Sequence, residues 1–206
     1  MRDGGRGDGL LCSAGLGAFA PWAAEALPGR REIAFVDIAA RPLGHPASLT
    51  VCRAAITGSG HRLVELDLAD VTPHELRTIL SSADAVFVAG GYPIYLLEWA
   101  QRSGFLAEVR QRFAAGSLAY VGVSAGAALA GPDMAPLGAP DDPGRVRNTT
   151  ALGIVDVVVL PHADRRPAEV VTERQRRFGR AYDLRPLPDR RALVVSGREV
   201  REVPSL

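Results

Sequence analysis

At 206 residues, of which 47% are hydrophobic, the chain is long enough for one domain with a full apolar core. Its 24 Lys and Arg against 23 Asp and Glu leave a formal net charge of +1, so charge gives no case for nucleic acid or membrane as a partner. No apolar run approaches the roughly 18 residues that a membrane helix needs, and the two cysteines, Cys12 and Cys52, fit neither a disulfide framework nor a zinc site.

Met1 to Gly9 carries charge with no apolar stretch behind it. It is expected as a disordered leader rather than a secretory signal. Residues 10–206 are then a single α/β domain, with a cytoplasmic location as the expectation. Leu10 to Ser13 reads as a first strand and Phe19 to Leu27 as a helix stopped by Pro28-Gly29. Glu32 to Ile38 is a continuously apolar strand, and Ser48 to Ile56 is helical. Arg62 to Leu68 alternates at period two, as a strand with one exposed face or at a sheet edge does. Thr72-Pro73-His74-Glu75 is a capping box with proline in the first turn, opening a helix to about Ser82. Ala85 to Ala89 is a buried strand ending in Gly90-Gly91, followed by helices from Ile94 to Gln101 and from Phe105 to Ala115.

The stretch from Tyr120 to Leu129 organises the chain. An apolar strand ends at Gly122-Val123, Ser124 follows, and Ala125-Gly126-Ala127-Ala128-Leu129 favours a helix. A strand turning directly into a helix bends sharply, and small residues permit it. The bend holds a serine hydroxyl at the carboxyl end of the strand, with helix-start N–H groups beside it that can stabilise an oxyanion. Gly122-x-Ser124-x-Gly126 fits the nucleophile-elbow pattern. The same pattern also fits a buried strand–helix junction whose serine merely caps the helix.

After Ala130, Gly131 to Asn148 is rich in Gly, Pro and Asp and is expected as a rim or lid loop. Val155 to Leu160 is a strand that delivers Pro161-His162, at the same end of the sheet as Ser124. Glu169 to Tyr182 is a charged helix. Ala192 to Val195, Gly197 and Val200 to Val203 form a late hairpin. Strands alternating with helices imply a mostly parallel sheet covered on both faces, with sites at the carboxyl ends of its strands.

A serine nucleophile needs a base, and the base needs an orienting acid. Of the four histidines, His74 lies in a capping turn, His61 precedes a strand and His45 lies in a Gly/Pro loop. Only His162 directly follows a buried strand. Asp189, in the turn Leu187-Pro188-Asp189-Arg190, is the first candidate for the acid; Asp133, Asp164 and Glu173 remain open. The order Ser, His, Asp differs from the Ser, acid, His order of α/β-hydrolases, and such constellations recur on unrelated folds.

Gly90-Gly91 before a helix with Leu96-Leu97, then Gly122-Val123-Ser124-Ala125-Gly126-Ala127, Asp133-Met134 and Pro161-His162, resembles the peptidase E and cyanophycinase family of serine peptidases. Arg174-Gln175-Arg176-Arg177-Phe178 is similar to that family's paired-arginine helix, and Leu187-Pro188-Asp189 to its Leu-Pro-Glu turn. The resemblance runs from about Leu10 to Val203. It implies a three-layer, flavodoxin-like, class I glutamine amidotransferase-like α/β fold. It also implies Ser124 as nucleophile, His162 as base and Asp189 as acid, with N–H groups of Gly91 and Ala125 as the oxyanion hole. No metal and no organic cofactor is implied. The implied partner is a small peptide bearing an acidic group, with Arg174 and Arg177 as its binding residues, and the chain acting as monomer or homodimer. These arginines equally fit a solvated helix face. Three features depart from the family: Tyr92 stands where Asn is common and reshapes the substrate pocket, the segment before Asp133 is short, and Ala163 follows the histidine where an aromatic is found.

The expected reaction is amide hydrolysis through an acyl-enzyme on Ser124, falling off in acid as the histidine base is protonated. Two other readings use the same residues: an esterase or amidase on small acyl groups, and a non-catalytic binding module of the amidotransferase-like fold. A cysteine hydrolase or glutamine amidotransferase is disfavoured, because the elbow carries serine.

Overall fold

The computed structural model describes residues 7–29, 31–44 and 46–206. Most of the expected leader, and His45, lie outside the described residues. In chain order the elements begin with β1 (Asp8–Cys12), α1 (Phe19–Ala26), β2 (Glu32–Val36), α2 (Ala47–Gly58) and β3 (Arg62–Glu65). Next come α3 (Pro73–Ser82), β4 (Ala85–Val88), α4 (Pro93–Arg102), α5 (Phe105–Ala114), β5 (Ala119–Val123) and α6 (Ala125–Leu129). The chain ends with β6 (Val157–Pro161), α7 (Ala168–Phe178), β7 (Asp183–Leu187), β8 (Arg191–Ser196) and β9 (Glu199–Pro204). The first strand thus starts at Asp8, inside the expected leader, and the Gly7 N–H ahead of it donates to the Phe113 carbonyl at 2.6 Å.

Seven strands form the central sheet in the order β3-β2-β4-β5-β1-β8-β9. The first five are parallel; β8 joins β1 antiparallel and β9 closes the late hairpin. Successive strand side chains point to opposite faces, and the two faces carry separate cores. Leu10, Cys12, Ile33, Phe35, Ala85 and Phe87 meet Phe19 and Trp22 of α1 and Leu49, Cys52 and Ile56 of α2. Leu11, Ala34, Val36, Val86 and Val88 meet α3 to α6 on the other side. This is the expected three-layer, flavodoxin-like α/β arrangement, and it explains why β2 and β4 read as continuous apolar runs. Phe35 and Phe87 are fully buried with ring centroids 5.6 Å apart; truncating either to alanine would cost about 3–5 kcal/mol. The period-two strand, β3, is an edge strand with Arg62 and Glu65 exposed, and charged Glu199, Arg201 and Glu202 line the other edge, β9.

The strand ahead of His162 is not in the central sheet. β6 pairs in parallel with β7 in a separate two-stranded sheet, packed on the α3–α6 side of the core. The reason is topological: β1 is already paired on both sides, by β5 and β8. β7 went unread in the sequence because Arg185 and Pro186 interrupt its apolar pattern. A two-stranded sheet consists of edge strands, where proline is tolerated. The Gly131–Asn148 stretch holds a short 3-10 turn, Ala135–Leu137.

Candidate active site

The carboxyl ends of β4, β5 and β1, neighbours in the sheet, converge on Ser124. At the elbow the chain passes from β5 to α6 in one residue, and Ser124 takes φ 52° and ψ −110°. The small residues around it are required by contact. A Cβ on Gly122 would lie 2.4 Å from the Gly126 carbonyl oxygen, and one on Gly126 would lie 2.1 Å from the Val88 carbonyl oxygen. Tyr120, fully buried, donates its hydroxyl to the Gly126 carbonyl at 2.7 Å and so ties strand to helix. Burial pushes that phenol well above its ordinary pKa, which keeps the donor proton in place.

Ser124 Oγ lies 2.8 Å from His162 Nε2, and His162 Nδ1 lies 2.6 Å from Asp189 Oδ1. With Nδ1–H donated to the carboxylate, Nε2 is left as the acceptor facing the hydroxyl. β6 and β7 end in register, Pro161 opposite Leu187, so histidine and aspartate emerge side by side from one small sheet. Asp189 is only 7% exposed. Its Oδ2 pairs with the Arg165 guanidinium and its N–H donates to Asp164 Oδ1 at 3.0 Å. Ser124 and His162 (φ 60°) are the two non-glycine residues with positive φ among the described residues. Backbone strain of that kind is held only where the surrounding structure fixes it, and it clusters at functional sites.

The other candidate acids stand elsewhere. Asp133 Oδ1 accepts the Ala135 N–H at 2.8 Å. Glu173 is exposed and paired with Arg176 on α7. Asp164 contributes to the site through the Asp189 main chain. Of the remaining histidines, His74 is exposed at the start of α3, and His61 is buried, its Nδ1 accepting the Arg31 N–H at 3.3 Å.

Gly90 backs directly onto the serine, a Cβ there falling 2.9 Å from Ser124 Cβ. Gly91 has φ 146°, and a Cβ on it would meet the Ala39 carbonyl oxygen at 2.1 Å. Neither the Gly91 N–H nor the Ala125 N–H has an acceptor among the described residues, whereas the Tyr92 N–H is spent on Ala39 O at 2.9 Å. Tyr92, half-buried, precedes α4. Arg174 and Arg177 line a pocket of about 320 Å³ with Ala135, Pro136, Gly138, Glu173 and Phe178. Arg174 Nη1 is buried with no partner among the described residues. Desolvation, and then the neighbouring Arg166, lower its pKa from the ordinary value. Arg177 is exposed and stacks over the Phe178 ring at 5.0 Å. Among the described residues no cluster of His, Cys, Asp or Glu could hold a metal ion, and no helix is long and apolar enough to cross a membrane.

Two residues of this neighbourhood escaped the sequence reading. Ser13 is fully buried and bonded to the His162 N–H, but a serine after a strand carries no signal. Asp142 accepts the Ile94 and Tyr95 N–H groups at 2.7 and 3.0 Å and caps α4 from 48 and 47 residues away.

The chain thus combines a flavodoxin-like α/β fold with a serine elbow at the strand ends and a histidine and a carboxylate lined up behind it, a constellation that recurs among serine hydrolases of unrelated folds. The model of peptidase family S51 matches residues 16–203, and the chain belongs to that family of serine peptidases. It is 30% identical over 152 residues to the uncharacterized peptidase Lmo0363 of Listeria monocytogenes serovar 1/2a, covering 72% of this chain and 74% of the relative. The uncharacterized peptidase PM1590 of Pasteurella multocida is 26% identical over 170 residues, covering 81% of this chain and 82% of the relative. The crystal structure of a Listeria monocytogenes EGD-e protein whose name assigns it to peptidase E superposes with a TM-score of 0.82 at 25% identity, covering 97% of this chain and 98% of the other. A peptidase from an acI-B1 Actinobacterium shares the fold, with a TM-score of 0.71 at 18% identity over 98% of this chain and 89% of the other.

Proposed function

We propose that this peptidase cleaves short peptides through Ser124, His162 and Asp189, with the scissile bond next to an aspartyl residue. The observation that carries the reading is the unbroken hydrogen-bonded line from Ser124 Oγ through the imidazole to Asp189, at 2.8 and 2.6 Å. In the reaction His162 Nε2 takes the hydroxyl proton as Oγ bonds to the amide carbonyl carbon. The tetrahedral oxyanion lies against the Gly91 and Ala125 N–H groups. Its collapse breaks the C–N bond, and His162 returns the proton to the leaving amine. Water, deprotonated by His162, then cleaves the ester, releases the carboxylic acid and restores Ser124. Asp189 holds the imidazole in the productive tautomer and stabilises its charged form.

The substrate's acidic group is assigned to Arg174 and Arg177. The unpartnered, buried Nη1 of Arg174 supports this, since a buried guanidinium donor without an acceptor is costly and gains from an incoming carboxylate. Tyr92, next to Gly91 at the start of α4, is assigned to shape the substrate's surroundings beside Ser124. The substrate is a free small peptide, and the chain acts as a monomer or homodimer without metal or organic cofactor.

The test is to treat the full chain with a fluorophosphonate and map the adduct by peptide mass spectrometry, with Ser124→Ala and His162→Ala alongside. Adduct on Ser124 in the wild type, absent from both variants, is the expected result. Asp-X dipeptides are then expected to be cleaved in preference to Ala-X and to simple esters. Equal turnover of esters and Ala-X peptides would replace the aspartyl reading with a small-acyl esterase or amidase. A chain that takes no adduct and cleaves neither class is a binding module.

A further inference from the structure

The end of β1 and the turn after it touch the main chain of all three residues of the site. The Cys12 carbonyl accepts the Ser124 N–H at 2.9 Å, and the Gly15 N–H donates to the Asp189 carbonyl at 2.9 Å. Between them lies Ser13, fully buried. Its hydroxyl donates to the Leu187 carbonyl at 2.9 Å and accepts the His162 N–H at 2.8 Å. Its own N–H donates to the Arg191 carbonyl at 3.2 Å. One proton and one lone pair thus join the last residue of β7 to the first residue after β6. This one side chain thus bonds to both segments that carry base and acid and ties them to the end of β1, alongside the Gly15–Asp189 and Asp164–Asp189 bonds.

The bond to His162 falls where the backbone needs it. His162 sits at φ 60°, a left-handed conformation that a residue with a Cβ adopts at a cost. A rotation about its main chain would swing Nε2 away from Ser124 Oγ. We propose that Ser13 is a positioning residue: its hydroxyl fixes the His162 main chain, and through Leu187 the Asp189 turn, so that Nε2 reaches the nucleophile. Ser13 takes no part in bond making and acts on the reaction through His162. The inference rests on the proposed roles of Ser124, His162 and Asp189.

The experiment measures fluorophosphonate labelling of Ser124 in the full chain, separating reversible affinity from the rate of the covalent step. Ser13→Ala is expected to slow the covalent step by about 10-fold to 10²-fold, since misplacing a catalytic group by about 1 Å can cost about 10²-fold. Affinity is expected to hold within about threefold, because Ser13 does not meet the probe. Thr72→Ala is the stability control: it removes a helix cap on α3 and is expected to melt a few degrees lower yet label at the wild-type rate. Should Ser13→Ala fail to fold, Ser13→Cys fills nearly the same space with a weakly bonding thiol and must show the same slow step. Wild-type labelling by whichever variant folds, or a slow step matched by Thr72→Ala, overturns the positioning role. A wild-type chain that takes no label and cleaves neither Asp-X dipeptides nor simple esters overturns the underlying reading instead, and does so without reference to any variant.

Discussion

Ser124 and His162 hold left-handed backbone angles, and neither residue type has an intrinsic reason to do so. Each conformation is sustained by neighbours. At Ser124 these are the packed glycines of the elbow and the Tyr120 hydroxyl; at His162 they include the Ser13 hydroxyl. Asp189 completes the line with a shorter side chain than the glutamate its turn resembles, and its Oδ1 still reaches Nδ1 at 2.6 Å. Asp189→Asn keeps the shape but can present an N–H to Nδ1, which forces the proton onto Nε2 and removes the acceptor facing Ser124. Labelling of Ser124 is therefore expected to fall by about 10²-fold or more, with little change in melting temperature. An asparagine variant that labels at the wild-type rate would remove Asp189 from the mechanism. Gly91 is constrained differently. Its φ of 146° and the nearby Ala39 carbonyl leave no room for a Cβ. Gly91→Ala is expected to destabilise by more than about 1 kcal/mol, and to slow labelling as the oxyanion turn shifts. A thermal melt paired with a labelling rate checks both effects.

At the scale of elements, α4 shows how the site's surroundings are held. Tyr92 at its N-cap offers no side-chain bond. The orphan N–H groups of Ile94 and Tyr95 are instead taken by Asp142, which also accepts the Gly144 N–H at 2.9 Å. This one carboxylate caps the helix that follows the Gly90-Gly91 turn and pins the Gly/Pro-rich stretch to it, so that stretch forms a fixed rim at this point. A Cβ on Gly144 would lie 2.2 Å from the Tyr95 nitrogen, so the loop's close approach to α4 requires glycine there. Asp142→Ala is expected to cost about 1–2 kcal/mol, or roughly 2–8 °C in melting temperature for a chain of this size. It is also expected to open residues 138–148 to limited proteolysis. Unchanged melting and an uncut loop would show that the cap contributes nothing. The same contact shows where sequence reading stops. The elbow was legible because the apolar run, the serine and the flanking small residues are contiguous. His162 was legible because Val157 to Leu160 points at it. Asp189 stayed one of four carboxylates, because its place depends on β7, whose pattern Arg185 and Pro186 break. Asp142 and Ser13 act across long sequence separations through single hydrogen bonds, and no local pattern marks such a bond.

Across the whole molecule, the core on the α1–α2 face of the sheet buries both cysteines, and burial raises their thiols, Cys12 to about 12 and Cys52 to about 11. Neither forms thiolate near neutrality. A buried histidine, His61, stands ahead of the edge strand β3. Its Nδ1 accepts the Arg31 N–H at 3.3 Å and its own N–H donates to the Ile56 carbonyl at 3.3 Å. Burial lowers its pKa; Asp84 nearby acts in the opposite direction and Arg31 in the same one. The folded chain therefore binds fewer protons here than the unfolded chain, whose histidine titrates at the ordinary value near 6.5. The stabilising contribution is complete above that value and is lost as the pH falls through it toward the depressed folded value. Protonation also removes the acceptor for Arg31. A single group of this kind changes stability by at most about 1.4 kcal/mol per pH unit. Melting temperature is thus expected to drop as the pH is lowered from 7.5 towards 5. In His61→Asn an amide oxygen can take the place of Nδ1 but carries no proton equilibrium, and the drop should be visibly shallower. Melting curves that fall in parallel for the two proteins over that range would assign the acid sensitivity to other groups.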